Sequence, residues 1–258
     1  MKRWILASLT VLMLWPASAA AQDEEAGPTW WVVFSEHVSP ANSAAFEAAS
    51  AEFNSVIKAN APADMVFYTL SGSETGYMYA VPMTGMEDFM KLNQQWMGMI
   101  EKIGWDKWEA MSAKSDPMVE YRETNFYVEM PDQSYHPEGF EESMGDQMLR
   151  HMDYLYPTAG MEDEFGDLMK EWVALYKENG IETGWTAYQA VTGEDLPMVV
   201  LITPAESTGD YYVMSDKVDE MLGDAGKQLM QKSVAMMRKF RHTDAWARPE
   251  LSVVPDDM

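Results

Sequence analysis

The sequence predicts an α+β fold made of two tandem βαββαβ units; two observations predict the fold and a third limits how it is held together. The chain superposes on itself at an offset of 119 residues, with Phe46 on Phe165, Lys58 on Lys177, Asn60 on Asn179, Val81 on Val200, Gly104 on Gly223, Arg122 on Arg241 and Thr124 on Thr243. The order of hydrophobic periodicities repeats along with these identities, strand-like runs and helix-spaced segments following in the same succession in both halves. Cysteine is absent from all 258 residues, so no disulfide framework exists and stability has to come from packing.

The first unit covers residues 29–130. Trp30, Trp31, Val32, Val33 and Phe34 are a run of β-favouring residues and predict a strand. Pro40 then opens a helix in which Phe46, Ala49, Phe53, Val56 and Ile57 recur at helical spacing, and Asn60-Ala61-Pro62 ends it. A hairpin follows, with strands over residues 65–70 and 76–81 about a turn at 71–74. Residues 86–113 carry Phe89, Trp96, Ile100, Ile103 and Trp108 on a helical face with a break at Gly104, and Asp116-Pro117 stops the helix. A last strand is predicted over residues 118–128.

The second unit, residues 146–250, runs in the same order. It has a strand over 149–156, a helix marked by Phe165, Leu168, Trp172, Leu175 and Tyr176 that ends at Asn179-Gly180, and hairpin strands over 185–191 and 198–203. A helical region over 207–239 with a break near Gly223 precedes a final strand over 240–247. Residues 131–145, with Pro131, Pro137 and Gly139, read as a linker, and residues 251–258 as a frayed tail.

Ahead of both units, Lys2 and Arg3 precede an apolar run over residues 4–15, then Pro16 and small residues to Ala21. That is the pattern of a secretory signal peptide over residues 1–21, cleaved after Ala19 or Ala21, with an acidic leader over 22–28. The expectation is an exported protein, periplasmic or extracellular; without cysteine it cannot be a lipoprotein. Its formal charge of -24 becomes about -26 once Lys2 and Arg3 are removed. Such a surface repels phosphates and anionic headgroups, so nucleic acid and, after signal cleavage, membrane are disfavoured as partners.

Two βαββαβ units in tandem resemble a fused pair of ferredoxin-like modules, the pseudo-dimeric form of the dimeric α+β barrel superfamily. The resemblance implies two sheets that face each other, helices on their outer sides, and a monomer paired internally. It spans nearly the whole chain after residue 28 and rests on element order. Members include cofactor-independent monooxygenases, muconolactone isomerase-like enzymes, stress-responsive barrel proteins and, in fused form, the chlorite dismutase and dye-decolourising peroxidase haem proteins. The Gly-x-x-Asp-Gly signature of the dye-decolourising group is absent from this chain.

In the strand order that the resemblance implies, the first and last strands of a unit are antiparallel neighbours. In the second unit the first holds His151 and Asp153, the last His242 and Asp244. Side chains two apart on a strand share a face, so these four groups form the candidate catalytic site, with His242 as general base, Asp244 orienting it and His151 assisting. The competing expectation is that they are solvated residues of an edge strand. The first unit lacks the pattern at the same offset, with Val32, Phe34, Glu123 and Asn125 in its place. Arg122 and Arg241, with Thr124 and Thr243, are candidates for anion binding or for structural ion pairs. His37 and His136 show no partner.

Three functions fit these residues. The first is a binding module that holds a small apolar or aromatic molecule between its sheets, suggested by the tryptophans and by Tyr68, Tyr77, Tyr79 and Tyr188 on the hairpins. The second is a cofactor-independent oxygenase or isomerase using the His/Asp site. The third is haem or metal binding through His151 or His242, with Cu(I) suggested by the 24 methionines and clusters such as Met83, Met86, Met90, Met97 and Met99. Methionine as an adaptable core hydrophobe is the stronger explanation of those clusters. No cofactor is specified by the sequence.

Overall fold

The computed structural model describes residues 27–72, 76–193 and 195–254; the expected signal peptide and most of the acidic leader lie outside them. Strand β1 (Trp30–Val38) is followed by α1 (Ser43–Lys58), β2 (Tyr68–Gly72), β3 (Gly76–Met83), α2 (Asp88–Ile103), α3 (Trp105–Ser115) and β4 (Val119–Glu129). After a short helix α4 (Phe140–Asp146) come β5 (Leu149–Pro157), α5 (Glu162–Glu178), β6 (Thr186–Ala190), β7 (Val199–Ala205), α6 (Thr208–Met236) and β8 (Met237–Ala247). No helix among the described residues is long and apolar enough to cross a membrane.

The eight strands close into a barrel in the order β1-β3-β2-β8-β5-β7-β6-β4. One half of the ring is β4-β1-β3-β2 and the other β8-β5-β7-β6, joined by short antiparallel seams, Leu70–Gly72 against Ala245–Ala247 and Tyr127–Glu129 against Tyr188–Ala190. Both halves therefore belong to one closed ring rather than to two separate facing sheets, and β8, expected at an edge, is paired on both sides.

Alternation along the strands sends one set of side chains into the barrel and the other toward the helices. Met152, Tyr156, Val200 and Ala245 are buried in the barrel interior, with Met78, Tyr127 and Tyr188 packed against them. Val32, Val81 and Met83 face the helices of the first half, packed with Ile57 and Met99. Tyr77 and Tyr79 lie on that helix side too, Tyr77 against Phe46 and Val38. Their neighbour Met78 takes the interior position, because the pleat inverts at each residue.

The uniform offset of 119 does not survive the ladders. Val33 pairs with Ala80 and Asn125, whereas Met152 pairs with Ile202 and Thr243. The second hairpin is four residues longer: Tyr68 faces Ala80, but Thr186 faces Ile202. Arg122 and Arg241 are consequently not equivalent. Arg122 lies opposite Glu36 on the helix side, and Arg241 opposite Tyr154 with its guanidinium 4.4 Å from that ring.

The expected linker is packed: Tyr135 bridges to Trp185, and Trp185 Nε1 donates to the Gln133 carbonyl at 2.8 Å. The expected frayed tail is docked as far as Val254. Val253 pairs with Phe67, and Leu251, 2% exposed, offers its carbonyl to Asn54 and Thr69 beneath the first half. The burial of Leu251 and Val253 anchors it.

Candidate functional site

Register decides the fate of the four predicted site residues. His151 lies opposite Asp244 and Asp153 opposite His242, so all four come together. His151 Nδ1 is 2.8 Å from Asp244 Oδ1, and its Nε2 is 3.3 Å from Asp153 Oδ1. The Thr208 hydroxyl at the start of α6 donates to the other oxygen of Asp244. Tyr211 stacks on the imidazole with centroids 3.7 Å apart, and the ring is 3% exposed. Burial pulls the His151 pKa down, but the hydrogen bonds and charges of Asp153 and then Asp244 outweigh it, so it is raised above the ordinary histidine value.

The roles differ from those expected. Asp244 orients His151, not His242. His242 is exposed, with its ring 5.6 Å from that of His151 and 6.0 Å from Phe240. The group is a buried imidazole between two carboxylates, covered by the Tyr211 ring. His37 has a partner after all, Glu123 at 3.1 Å, and stacks on Tyr121; His136 contacts Thr186 and Phe140.

The open space is in the other half. A cavity of about 430 Å³ lies between the β1, β3 and β4 face and helices α1 to α3. Counted from the first residue of each helix, Lys91 of α2 stands where α6 has Tyr211, the ring that covers His151 in the second half. The apolar wall of the cavity is aromatic. Trp108 packs edge-on against Trp96 at 5.7 Å and against Phe53 at 4.6 Å, and Phe89 lies beside it on α2.

The polar end is built on Glu36 and Arg122. Arg122 Nε donates to Glu36 Oε1 at 2.7 Å and a terminal nitrogen donates to Asp116 Oδ1 at 2.6 Å. Tyr79 OH donates to Glu36 Oε2 at 3.2 Å. Burial, then the neighbouring Glu36 charge, pushes the Tyr79 phenol well above its ordinary value, so it stays a neutral donor. Burial alone would depress Arg122, but the hydrogen bonds and charges of Glu36 and Asp116 hold it above its usual value. Of these residues the sequence singled out Arg122 and Tyr79; Glu36, Asp116 and the convergence of Phe53, Trp96 and Trp108 carried no signal, because each is ordinary at its own position.

A haem or metal was expected on His151 or His242, of which His151 is buried and His242 exposed. No histidine lines the cavity, and both ring nitrogens of His151 face carboxylates. Among the described residues no three His, Cys, Asp or Glu side chains converge as a metal site. Met83 and Met99 are buried in the first-half core, as hydrophobic filling requires, while Met86, Met90 and Met97 are exposed.

No family model matches the chain, and no curated protein matches it. Solved structures do match along nearly their whole length. An anthrone oxidase-like protein has a TM-score of 0.54 at 10% identity, covering 87% of this chain and 92% of its own. A mutant chlorite dismutase from Candidatus Nitrospira defluvii has a TM-score of 0.52 at 11% identity over 88% and 93%. A monooxygenase-like protein from Lactobacillus acidophilus NCFM has a TM-score of 0.51 at 6% identity over 88% and 97%. At such identities the likeness is one of fold, that of the dimeric α+β barrel proteins, and it leaves the chemistry to the side chains.

Proposed function

We propose that this chain is an exported binding protein for a small apolar or aromatic molecule, built as a fused pseudo-dimer of two ferredoxin-like modules. The observation that carries the ligand reading is the aromatic-walled cavity of about 430 Å³ with one hydrogen-bonded polar end; a concave, mainly apolar space with few convergent polar groups is the usual form of a small-molecule site. The ligand lies between the sheet and the helices of the first half, not inside the barrel, whose interior is occupied by side chains such as Met152, Tyr156 and Val200. The shared strand order of the two half-rings supports the fused-module reading, and closure of every strand within one chain supports a monomer.

The oxygenase or isomerase alternative draws less from the geometry. A general base needs a substrate proton within reach, and His151 is covered by Tyr211 with both nitrogens engaged.

Titration of the full chain with 2-naphthylmethanol, followed by calorimetry and thermal shift, tests the binding reading. Saturable binding is expected, and Ser112→Phe, which fills the cavity from α3, should weaken it at least about tenfold. His242→Ala should leave it unchanged. No heat and no shift, or equal binding by the filled variant, would remove the cavity as the site.

A further inference from the structure

The cavity selects its ligand by charge, and the selection is written in who neutralises whom at its polar end. Arg122 is the one lysine or arginine among the described residues that line the cavity, against the carboxylates Glu36, Asp116 and Glu123. Its guanidinium is already held by two of them, Glu36 at 2.7 Å and Asp116 at 2.6 Å. Glu36 is also engaged at its second oxygen by Tyr79 OH, which fixes the carboxylate in place at the inner end of the pair. Glu123 contacts His37 at 3.1 Å.

An arginine in a pocket usually suggests a carboxylate or phosphate ligand, through its bidentate fork. Here Nε and one terminal nitrogen are already engaged within the protein, and the lining residues keep an excess of negative charge. An anion that grips the Nε face of Arg122 bidentately would have to displace Glu36 or Asp116, leaving a carboxylate unpaired beside an apolar wall. A cation meets the reverse: carboxylates at one end and the faces of Trp96, Trp108 and Phe53 along the wall, groups that attract positive charge. The acidic surface of the whole chain, formally -24, adds the same bias to encounter.

We infer that the cavity takes neutral or cationic aromatic amphiphiles and excludes carboxylates and phosphates of the same shape, an inference that rests on the cavity being a binding site. Three isosteric probes separate the two claims: 2-naphthylmethanol, 2-naphthylmethylamine and 2-naphthoate, titrated calorimetrically into the full chain. The alcohol and the amine should bind, with the carboxylate at least about tenfold weaker. High salt should narrow that gap, and so should Asp116→Asn, which frees part of Arg122 at an exposed position. Equal affinity for all three probes, or tightest binding by naphthoate, overturns the charge selection while leaving the cavity as a site. Binding by none of them overturns the cavity reading, and the selection with it.

Discussion

An imidazole between two carboxylates is most stable as a cation that donates from both nitrogens, which is the arrangement around His151. The folded pKa is raised above an unfolded value of about 6.5. The stability it contributes is therefore fully present below about pH 6.5 and is lost as the pH rises through the folded value. Around the ring stand Asp153, Asp244, His242, Thr208, Tyr211 and Tyr212, and burial raises Tyr211 far enough to keep it neutral across this range. His151→Gln should cost about 3 kcal/mol at low pH, since it leaves two partly buried carboxylates without their cation. The gap from wild type should shrink at alkaline pH, as the pH rises through the folded value and the wild type loses the same charge. Urea midpoints at both pH values check this, and a constant gap would show that the cation is not what His151 contributes. The shared face of each His/Asp pair was legible because side chains two apart share a strand face, but the register that brings the pairs together was not. Their burial was not either, because it depends on Tyr211, which reaches the ring from a helix some sixty residues further on.

Helix-breaking glycines fix where the cavity wall stands. Gly104 has φ 92° and Gly223 φ 53°, backbone that L side chains adopt only at a cost. At Gly104 the chain changes direction without losing its hydrogen bonds: Gly104 N–H donates to the Ile100 carbonyl at 2.8 Å, and Trp108 N–H donates to the Gly104 carbonyl at 3.0 Å. The redirected α3 brings Trp108 onto Phe53 and Trp96. A Cβ at Gly104 would meet nothing within 4 Å, so Gly104→Ala should cost about 1–2 kcal/mol through conformation alone. It should weaken naphthylmethanol binding as well. Gly98→Ala on the same helix also meets open space, but in helical backbone, and should stabilise by about 0.5–1 kcal/mol with binding intact. Denaturation of the two variants side by side tests this, and equal effects would remove the special role of Gly104. Both breaks could be read from the sequence because an isolated glycine in a helical pattern is a strong signal. The longer second hairpin could not, since an ungapped offset absorbs four extra turn residues only by matching the wrong strand positions.

At the scale of the molecule, the two half-rings meet through two seams of only three residue pairs each, and what reinforces them is the C-terminal segment. It leaves β8 in the second half and crosses to the first, where Arg248 forms a two-pronged pair with Glu47 of α1 at 2.7 and 2.9 Å. Leu251 and Val253 are then buried at 2% and 6% exposure, Val253 within the apolar core of the first half. The Leu251 carbonyl accepts from Thr69 Oγ1 at 2.8 Å and from Asn54 Nδ2 at 2.7 Å, and Ser252 Oγ accepts from Thr69 N–H at 2.8 Å. Removing residues 251–258 deletes both buried apolar side chains and uncovers the core surface beneath them, at about 1.5–3 kcal/mol each, and leaves buried donors of Asn54 and Thr69 without their acceptors. The truncated chain should therefore lose about 4 kcal/mol or more. Because β2, α1 and the cavity residues Asn54 and Phe67 share this anchor, it should lose naphthylmethanol binding in parallel. The intact chain should unfold in one cooperative transition, since neither half-ring keeps its edge strands paired alone. Calorimetric melting of both chains decides the matter: a truncated chain that melts with the full one, or a full chain that melts in two separate steps, would show that the terminal segment does not hold the halves together.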